Sequence, residues 1–209
     1  MRPLELSLRS KLDMLAHPTW FAQVLGRGLP RFLNLEEFVP EAQRGGFGIA
    51  RWIGANQRES LDWDLVAEIR KAWPRKLVIK GIQNEEDVRL AVAAGVDGIV
   101  LSNHGGRQLD RAASPLELIA AARAIAGPDF CILVDSGFRR GSEIVQAIAL
   151  GADAVLLGRA TLYGVAAGGE AGVAKALSIL RAEIDRTIGL LGLRSVDELG
   201  PGLLHATPG

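Results

Sequence analysis

The sequence is poor in cysteine. Cys131 is its only cysteine, so no internal disulfide can form, which fits a protein of the reducing cytoplasm. Cys131 opens an apolar run, residues 131–134, and we expect it to be an ordinary core residue. His17 and His205 have no partners at a useful spacing. Solvated or core roles are therefore expected for both, and no metal site is predicted.

An excess of charge of either sign is also absent. The 24 basic and 24 acidic residues cancel, and no block of like charge occurs. This argues against a nucleic-acid groove and against a polybasic membrane anchor. Residues 1–10 lack the apolar core of a secretory signal, and no uninterrupted apolar stretch reaches the length of a membrane span. We therefore expect a small molecule as the partner.

From residue 76 onward a unit recurs, consisting of a short apolar run and then a segment of helical periodicity. Runs that are apolar on both faces indicate buried parallel strands, and the intervening helices make them βα units. The predicted strands cover residues 77–80, 98–102, 131–135 and 154–158, and the predicted helices cover residues 61–73, 84–95, 114–126, 141–150 and 170–191. Asn84 is a predicted helix cap, and Ser114 to Glu117 is predicted to form a capping box around Pro115.

Repeated βα units fit either a doubly wound sheet or a (β/α)8 TIM barrel. Lys80, Ser102, Asp135 and Gly158 fall at the carboxyl ends of their strands, where a barrel collects its active site. The glycine pattern of a dinucleotide-binding sheet is missing after the first strand. Because only four strands are evident, we predict an α/β fold in which residues 59–209 form the C-terminal half of a TIM barrel.

Residues 1–58 are predicted to be a separate excursion or flap rather than more of the barrel. Glycine and proline punctuate this segment, and loops of such length usually serve a function or move. Two interpretations stay open, contact with a membrane surface or packing as a flap over the site. Both rest on its scattered aromatic residues, Trp20, Phe21, Phe32, Phe47 and Trp52.

The most specific motif is the run SNHGGRQLD at residues 102–110, directly after a predicted strand. Its two adjacent glycines let the backbone pass close to a ligand. His104 can accept a proton near neutral pH, and Arg107 can fork onto a carboxylate. The pair predicts a site for a carboxylate substrate that must lose a proton. A backbone-satisfied histidine beside a surface arginine is the plainer alternative, and it would suit either residue alone.

The next two loops predict an anion site. Residues 135–142 lead into a helix, so their amides and the helix N-terminus are expected to bind an anion with help from Arg139, and Gly158 and Arg159 supply a second loop of this kind. Glycines needed only for turns are the alternative. Lys80 needs an anion too, and either a negatively charged cofactor or an acidic residue from outside this chain could supply it.

Together these motifs resemble those of the FMN-dependent 2-hydroxy acid dehydrogenases and oxidases, in order and in spacing. The pattern is nearest to the bacterial L-lactate and mandelate dehydrogenases. The resemblance runs from about residue 60 to 195, and it is carried by residues 78–81, 102–110, 135–141 and 157–160. More weakly, residues 16–20 are similar to the excursion of membrane-associated L-lactate dehydrogenases.

The resemblance implies FMN-dependent oxidation of an L-2-hydroxy acid to the 2-keto acid, with electrons passing to a quinone or cytochrome. His104 would be the catalytic base in contact with substrate, and Arg107 would bind the substrate carboxylate. Lys80 would contact the N1/O2 edge of the flavin and stabilise the anionic reduced ring. The FMN ribityl chain and phosphate would be held by Asp135, Gly137, Arg139, Gly158 and Arg159, with Ser102 beside the flavin.

The resemblance covers only the C-terminal half of the family's barrel. The family's substrate-binding tyrosines and the aspartate that pairs with its histidine belong to the first half, and Tyr163, the only tyrosine here, matches none of them. We expect a homo-oligomer that is either cytoplasmic or peripheral on the inner face of the cell membrane. Four alternatives stay open: a non-catalytic flavin- or phosphate-binding fragment, a half-barrel that pairs with a second half, an oxidase that uses O2, and another phosphate-binding barrel enzyme.

Overall fold

The predicted βα units are present in the computed structural model, which describes residues 7–19, 22, 32–44, 46–56 and 61–204. Strands β1 (Val78–Ile82), β2 (Gly98–Leu101), β3 (Cys131–Val134) and β4 (Ala154–Val155) form one sheet in the order β1-β2-β3-β4. Each neighbouring pair is parallel. A sequential parallel order is that of a barrel, whereas a doubly wound sheet reverses its order at a switch point.

The helices lie between the strands, as predicted. The α-helices are α1 (Leu8–Ala16), α2 (Gly46–Asn56), α3 (Trp63–Ala72), α4 (Glu85–Ala93), α5 (Pro115–Ala126), α6 (Gly141–Ala149) and α7 (Arg159–Leu190), and short 3-10 helices cover Leu33–Phe38, Glu41–Gln43, His104–Gly106, Val196–Glu198 and Pro201–Leu203. The chain divides into two units, Met1–Leu61 and Asp62–Gly209. The second unit contains the whole sheet.

One predicted helix cap is confirmed and the other is wrong. The side chain of Asn84 accepts a hydrogen bond from the amide of Asp87 at 2.8 Å. The side chain of Ser114 makes no cap hydrogen bond, although Pro115 does begin α5. The Glu117 amide instead donates to the backbone carbonyl of Ser114, at 3.1 Å, so no capping box forms.

Helix α7 begins earlier than the predicted residue 170. It starts at Arg159 and is interrupted at Gly168 and Gly169, whose backbone angles are not helical. The segments before and after this break touch through glycines, since a Cβ added to Gly172 would lie only 2.0 Å from the carbonyl oxygen of Gly164. The sequence did not predict the first segment because Gly164 within it, and the glycine pair that ends it, weaken the helical signal.

The sheet is covered by helices on one face. Strand register places Ile79, Ile99 and Ile132 side by side, and this face packs into the main apolar core with α4, α5 and α6. Right-handed connections between sequential parallel strands put their helices on the same face. The prediction that all four strands are buried on both faces is therefore wrong except for β2, which is buried throughout. On the other face, Val78 is 43% exposed.

An arginine and an aspartate close the amino end of β1. The Asp97 carboxylate accepts hydrogen bonds from the Leu77 amide and from Arg70, at 2.8 and 2.9 Å, and from Lys76 at 2.8 Å. The Asp97 amide donates back to the Leu77 carbonyl at 2.8 Å. Arg70 also donates to the carbonyls of Trp73 and Arg75. Asp97 therefore ties the start of β2 to the start of β1.

The same arrangement recurs at the amino end of β3. Asp153 accepts from the Ile132 amide at 2.7 Å and from Arg123 at 2.8 Å, and its own amide donates to the Ile132 carbonyl at 2.8 Å. Arg123 also donates to the carbonyls of Gly127, Pro128, Phe130 and Gly151. We call these two groups, Arg70-Leu77-Asp97 and Arg123-Ile132-Asp153, the amino-end clasps.

The first unit is described over fewer residues. Within it Val39 and Ile49 are buried, and Arg44 Nε donates to the Val39 carbonyl at 3.0 Å. Phe32 is 44% exposed. The other aromatic predictions include Trp20 and Phe21, which lie outside the described residues, as does His205. Within the described ranges, no helix is both long enough and apolar enough to span a membrane.

Candidate active site

An open cleft lies at the carboxyl ends of the strands. Its volume is about 330 Å³. Of the residues that the sequence singled out, the lining includes Lys80, His104, Arg107, Asp135, Gly137, Arg139, Gly158 and Arg159. Ser102 is completely buried, and its hydroxyl is bonded to members of this set. The fold therefore brings together residues that are spread over 80 positions of the sequence.

Lys80 has an anionic partner within this chain. Its Nζ donates to Ser102 Oγ at 2.7 Å and forms an ion pair with Asp135. Partial burial acts to raise the pKa of Asp135, but hydrogen bonds from Lys80, Ser102 and Ser136 outweigh it and hold this pKa below its ordinary value. Of the two alternatives for the anion that Lys80 needs, an acidic residue from outside the chain is not required, because Asp135, directly after β3, supplies the charge.

The loop that carries His104 has an unusual backbone. His104, Gly105 and Gly106 all have positive φ, of 56°, 69° and 73°. The turn is closed by Asn103, whose side chain accepts from the Gly106 amide at 3.1 Å. The imidazole lies against Gly81, where an added Cβ would be 3.2 Å from its Cε1 atom. In the part of the chain that the structure describes, the ring has no hydrogen-bond partner and is free to meet a ligand.

Ser136 is a site residue that the sequence analysis did not single out. It lies at the cleft, and its Oγ accepts hydrogen bonds from the amides of Asn103 and Gly105. Its φ is 82°, a value that favours glycine. Only its position beside the predicted residues Asp135 and Gly137 could have drawn attention to it.

Three arginines give the cleft an uncompensated positive charge. Arg107, Arg139 and Arg159 line it, and none of their guanidinium groups has an acidic partner among the described residues. The Arg159 guanidinium lies over Gly105, where an added Cβ would be 3.0 Å from Nη2. Glycine at this position therefore leaves room for the arginine beside the loop that carries His104.

The N-terminus of α6 does not provide the predicted anion site. The amides of Arg139 and Arg140 donate to Glu143, at 2.7 and 3.1 Å, and the Gly141 amide donates to Glu183 at 2.8 Å. The Gly141 amide, followed by Arg140, holds the pKa of Glu183 below its ordinary value. The protein's own carboxylates thus occupy these donors. Glu143 was a visible local signal, whereas Glu183 lies 42 residues away from Gly141.

By contrast, the first amides of α7 are available to a ligand. Leu162 donates to the Gly158 carbonyl at 3.1 Å, but no hydrogen bond of the amides of Arg159, Ala160 or Thr161 is found within the described ranges. Free amides at a helix start attract anions. With the unpaired arginines nearby, this end of the cleft is suited to a phosphate group.

Taken together, the cleft can carry out three tasks. His104 can accept a proton, Arg107 can hold a carboxylate, and the Arg139 and Arg159 side of the cleft can hold a phosphate. These tasks fit a reaction in which an anionic substrate loses a proton beside a phosphorylated cofactor.

Comparison with known proteins gives a consistent result. A family model described as FMN-dependent dehydrogenase matches residues 1–206. The chain is 44% identical over 204 residues to (S)-mandelate dehydrogenase of Pseudomonas putida, covering 97% of this chain and 50% of that protein. It is 42% identical over 194 residues to L-lactate dehydrogenase of Chromohalobacter salexigens, covering 92% of this chain and 49% of that protein.

The fold is similar to solved structures as well. A crystal structure of the monotopic membrane protein (S)-mandelate dehydrogenase superimposes with a TM-score of 0.88 at 43% identity, covering 98% of this chain and 54% of that one. The structural neighbours are FMN-dependent (β/α)8 barrel enzymes, so the predicted partial barrel is confirmed. The chain spans about half the length of the curated relatives it matches.

Proposed function

Because this chain belongs to the FMN-dependent dehydrogenase family, we propose that the enzyme containing it oxidises an L-2-hydroxy acid to the 2-keto acid. Lactate-like and mandelate-like acids are the proposed substrates. The observation that carries the proposal is the meeting of His104 and Arg107 with Lys80 and the phosphate-suited arginines in one cleft. A base, a carboxylate-binding group and a cofactor-binding surface are the parts that such a reaction needs.

The chemistry of the cleft fits FMN. Arg139, Arg159 and Gly158, with the free amides at the start of α7, would hold the phosphate, because phosphate prefers guanidinium forks and helix N-termini. Asp135 and Gly137 would hold the ribityl chain. Ser102 would lie beside the ring system. When bound, FMN supplies the acceptor for the two electrons that leave the hydroxyl-bearing carbon of the substrate.

The remaining chemistry belongs to side chains of this chain. Arg107 would bind the substrate carboxylate and so direct the hydroxyl-bearing carbon towards His104. His104 Nε2 or Nδ1 would then accept a proton, either from the hydroxyl or from the α-carbon. Lys80 would place a positive charge where negative charge develops. Asp135 moderates that charge, since it already pairs with Lys80.

Two features support electron transfer to a membrane acceptor such as a quinone or cytochrome. The similar (S)-mandelate dehydrogenase is a monotopic membrane protein. In α1 the exposed residues Leu8, Leu12 and Leu15 recur at helical spacing and form an apolar stripe. We propose that residues 1–58 form an excursion that makes peripheral contact with the inner face of the cell membrane. Turnover with O2 as good as turnover with a quinone would favour an oxidase instead.

The second candidate function is binding without catalysis by a half-barrel that pairs with another half. It is supported by the sheet, because β1 and β4 each pair on one side only within the described residues. Open edges of this kind recruit other strands. A stable homo-oligomer of the purified chain that binds FMN or phosphate, but is not reduced by L-lactate or (S)-mandelate, would favour this candidate.

The proposed function can be tested in a completed enzyme. We define this as the present chain joined to the part of Pseudomonas putida (S)-mandelate dehydrogenase that it does not match. The completed enzyme should be yellow and should be reduced by L-lactate or (S)-mandelate. Replacing His104 by alanine should lower kcat by about 10²–10⁴-fold, the usual contribution of a general base, while FMN stays bound. Full turnover of H104A would contradict the proposal.

A further inference from the structure

Ser136 joins the two loops that form the cleft. It follows β3, and its Oγ accepts hydrogen bonds from the amides of Asn103, at 3.2 Å, and Gly105, at 3.1 Å, in the loop that follows β2. These amides belong to the residues immediately before and after His104. The backbone that carries the proposed base is therefore held from both sides by one side chain of the neighbouring loop.

The hydrogen-bonding capacity of this hydroxyl is fully used. A hydroxyl donates once and can accept twice. Ser136 Oγ donates to Asp135 Oδ1 at 2.6 Å, and the two amides fill its acceptor positions. The amide of His104 itself donates to Ser102 Oγ, at 3.1 Å. Three successive amides of the loop that carries His104 thus donate hydrogen bonds to two serine hydroxyls.

The backbone of Ser136 is held in a conformation that a serine disfavours. Its φ of 82° lies in the left-handed region, which glycine adopts readily and other residues adopt at a cost. A strained residue kept beside a functional site suggests a role for its side chain. Glycine would suit this backbone better, but it could not bridge the two loops.

We propose that Ser136 is a positioning residue for His104. Its hydroxyl fixes the backbone on both sides of the base, and so fixes where the imidazole stands when the substrate's proton is transferred. The same hydroxyl connects the loop that carries the base to Asp135, and through Asp135 to Lys80. This inference rests on the function proposed above for His104.

Two substitutions separate positioning from stability. Ser136→Gly and Ser136→Ala both remove the hydroxyl, but glycine relieves the backbone strain and alanine retains it. In the completed enzyme, we expect both variants to lower kcat by about tenfold or more, because small displacements of a catalytic group are costly. KM should change far less than kcat. The melting temperature of S136G should equal or exceed that of S136A.

A matched control is available outside the cleft. Ser195 also accepts an amide hydrogen bond through its hydroxyl, from Asp197 at 3.2 Å, and Ser195→Gly should leave kcat unchanged. Unchanged kcat in both Ser136 variants would overturn the proposal. So would a loss confined to S136A, because turnover would then follow stability rather than the hydroxyl.

A second measurement needs no cofactor and no turnover. The chain has three histidines, and NMR of their ring signals in the full 209-residue chain, with His104→Gln for assignment, reports on His104 directly. S136G should shift or broaden the His104 signal and leave the other two unchanged. An unaltered His104 signal would overturn the positioning role. If the unmodified completed enzyme fails to bind FMN or turn over, the proposed function fails, whereas this spectrum still tests the loop.

Discussion

The arginines at the two ends of the four-stranded sheet differ in whether they have acidic partners. At the amino ends, the clasps pair Arg70 with Asp97 and Arg123 with Asp153. At the carboxyl ends, Arg107, Arg139 and Arg159 line the cleft without acidic partners among the described residues. The difference shows that the arginines of this fold serve two purposes. In barrels the amino end contributes stability, and the carboxyl end contributes the site.

The contrast follows from what each arginine can reach. Arg123 donates to four backbone carbonyls besides Asp153, so the hydrogen bonds of its guanidinium group join segments of the chain. An arginine in the cleft has no such set of internal acceptors, and its hydrogen bonds remain available to a ligand. The comparison can be tested by substitutions at each end, because stability and ligand affinity should respond separately.

The largest effect is expected at the amino end. Arg123→Ala removes all the hydrogen bonds of that side chain and leaves partly buried carbonyls without that partner, so the free energy of unfolding should fall by about 2–4 kcal/mol. The measurement is urea unfolding of the completed enzyme. Affinity for FMN should not change.

Arg89→Ala is the control for this substitution. Arg89 makes an exposed ion pair with Glu85 on the same helix, and its loss should cost no more than about 0.5 kcal/mol. An Arg123 variant no less stable than the Arg89 variant, or one with weakened FMN binding, would contradict the idea that the amino-end arginines serve stability alone.

A smaller effect, on affinity alone, is expected at the carboxyl end. Arg159→Ala should raise the Kd for FMN by about 10–100-fold, because a charge-assisted hydrogen bond to phosphate is lost. Arg159→Lys should lie between, since lysine keeps the charge but loses the fork. Fluorescence titration of FMN measures both.

Arg140, a paired arginine next to Arg139 in the sequence, supplies the control for Arg159. Arg140 forms an ion pair with Glu183 at 2.9 Å, so Arg140→Ala should leave FMN affinity unchanged. If the two alanine variants lost affinity equally, the distinction between paired and unpaired arginines would carry no functional meaning.

The smallest effect is a pH dependence of the first clasp. Hydrogen bonds from Lys76, the Leu77 amide and Arg70 hold the pKa of Asp97 well below its usual range. A carboxyl with a lowered folded pKa contributes stability that is fully present above its unfolded pKa and is lost as pH falls through its folded pKa. Asp97→Asn should therefore destabilise the protein near neutral pH.

The difference between D97N and the unmodified protein should shrink in strong acid, where both lack the carboxylate. Urea unfolding at a series of pH values measures this. A difference that stays constant with pH would mean that the clasp acts through packing rather than through charge.

Much of the site could be predicted because it depends on local sequence. Lys80, His104 and Asp135 each follow an apolar run, and parallel strands bring their carboxyl ends to one edge of the sheet. Helix ends were less predictable. The capping box at Ser114 fails because a backbone carbonyl takes the amide that the hydroxyl was expected to take.

The order of the βα units, and most of the residues that reach the cleft, could be derived from the amino-acid sequence, because both follow from hydrophobic periodicity and from the polar residues that end each run. Which of those residues remain available to a ligand depends on the folded structure. The Glu183 carboxylate accepts a hydrogen bond from the Gly141 amide at the start of α6, 42 residues away. Ser136 Oγ accepts one from the Gly105 amide in the His104 loop, 31 residues away. Whether a charge or an amide is available to a ligand depends on its distance from such remote partners, and that distance exists only once the chain has folded.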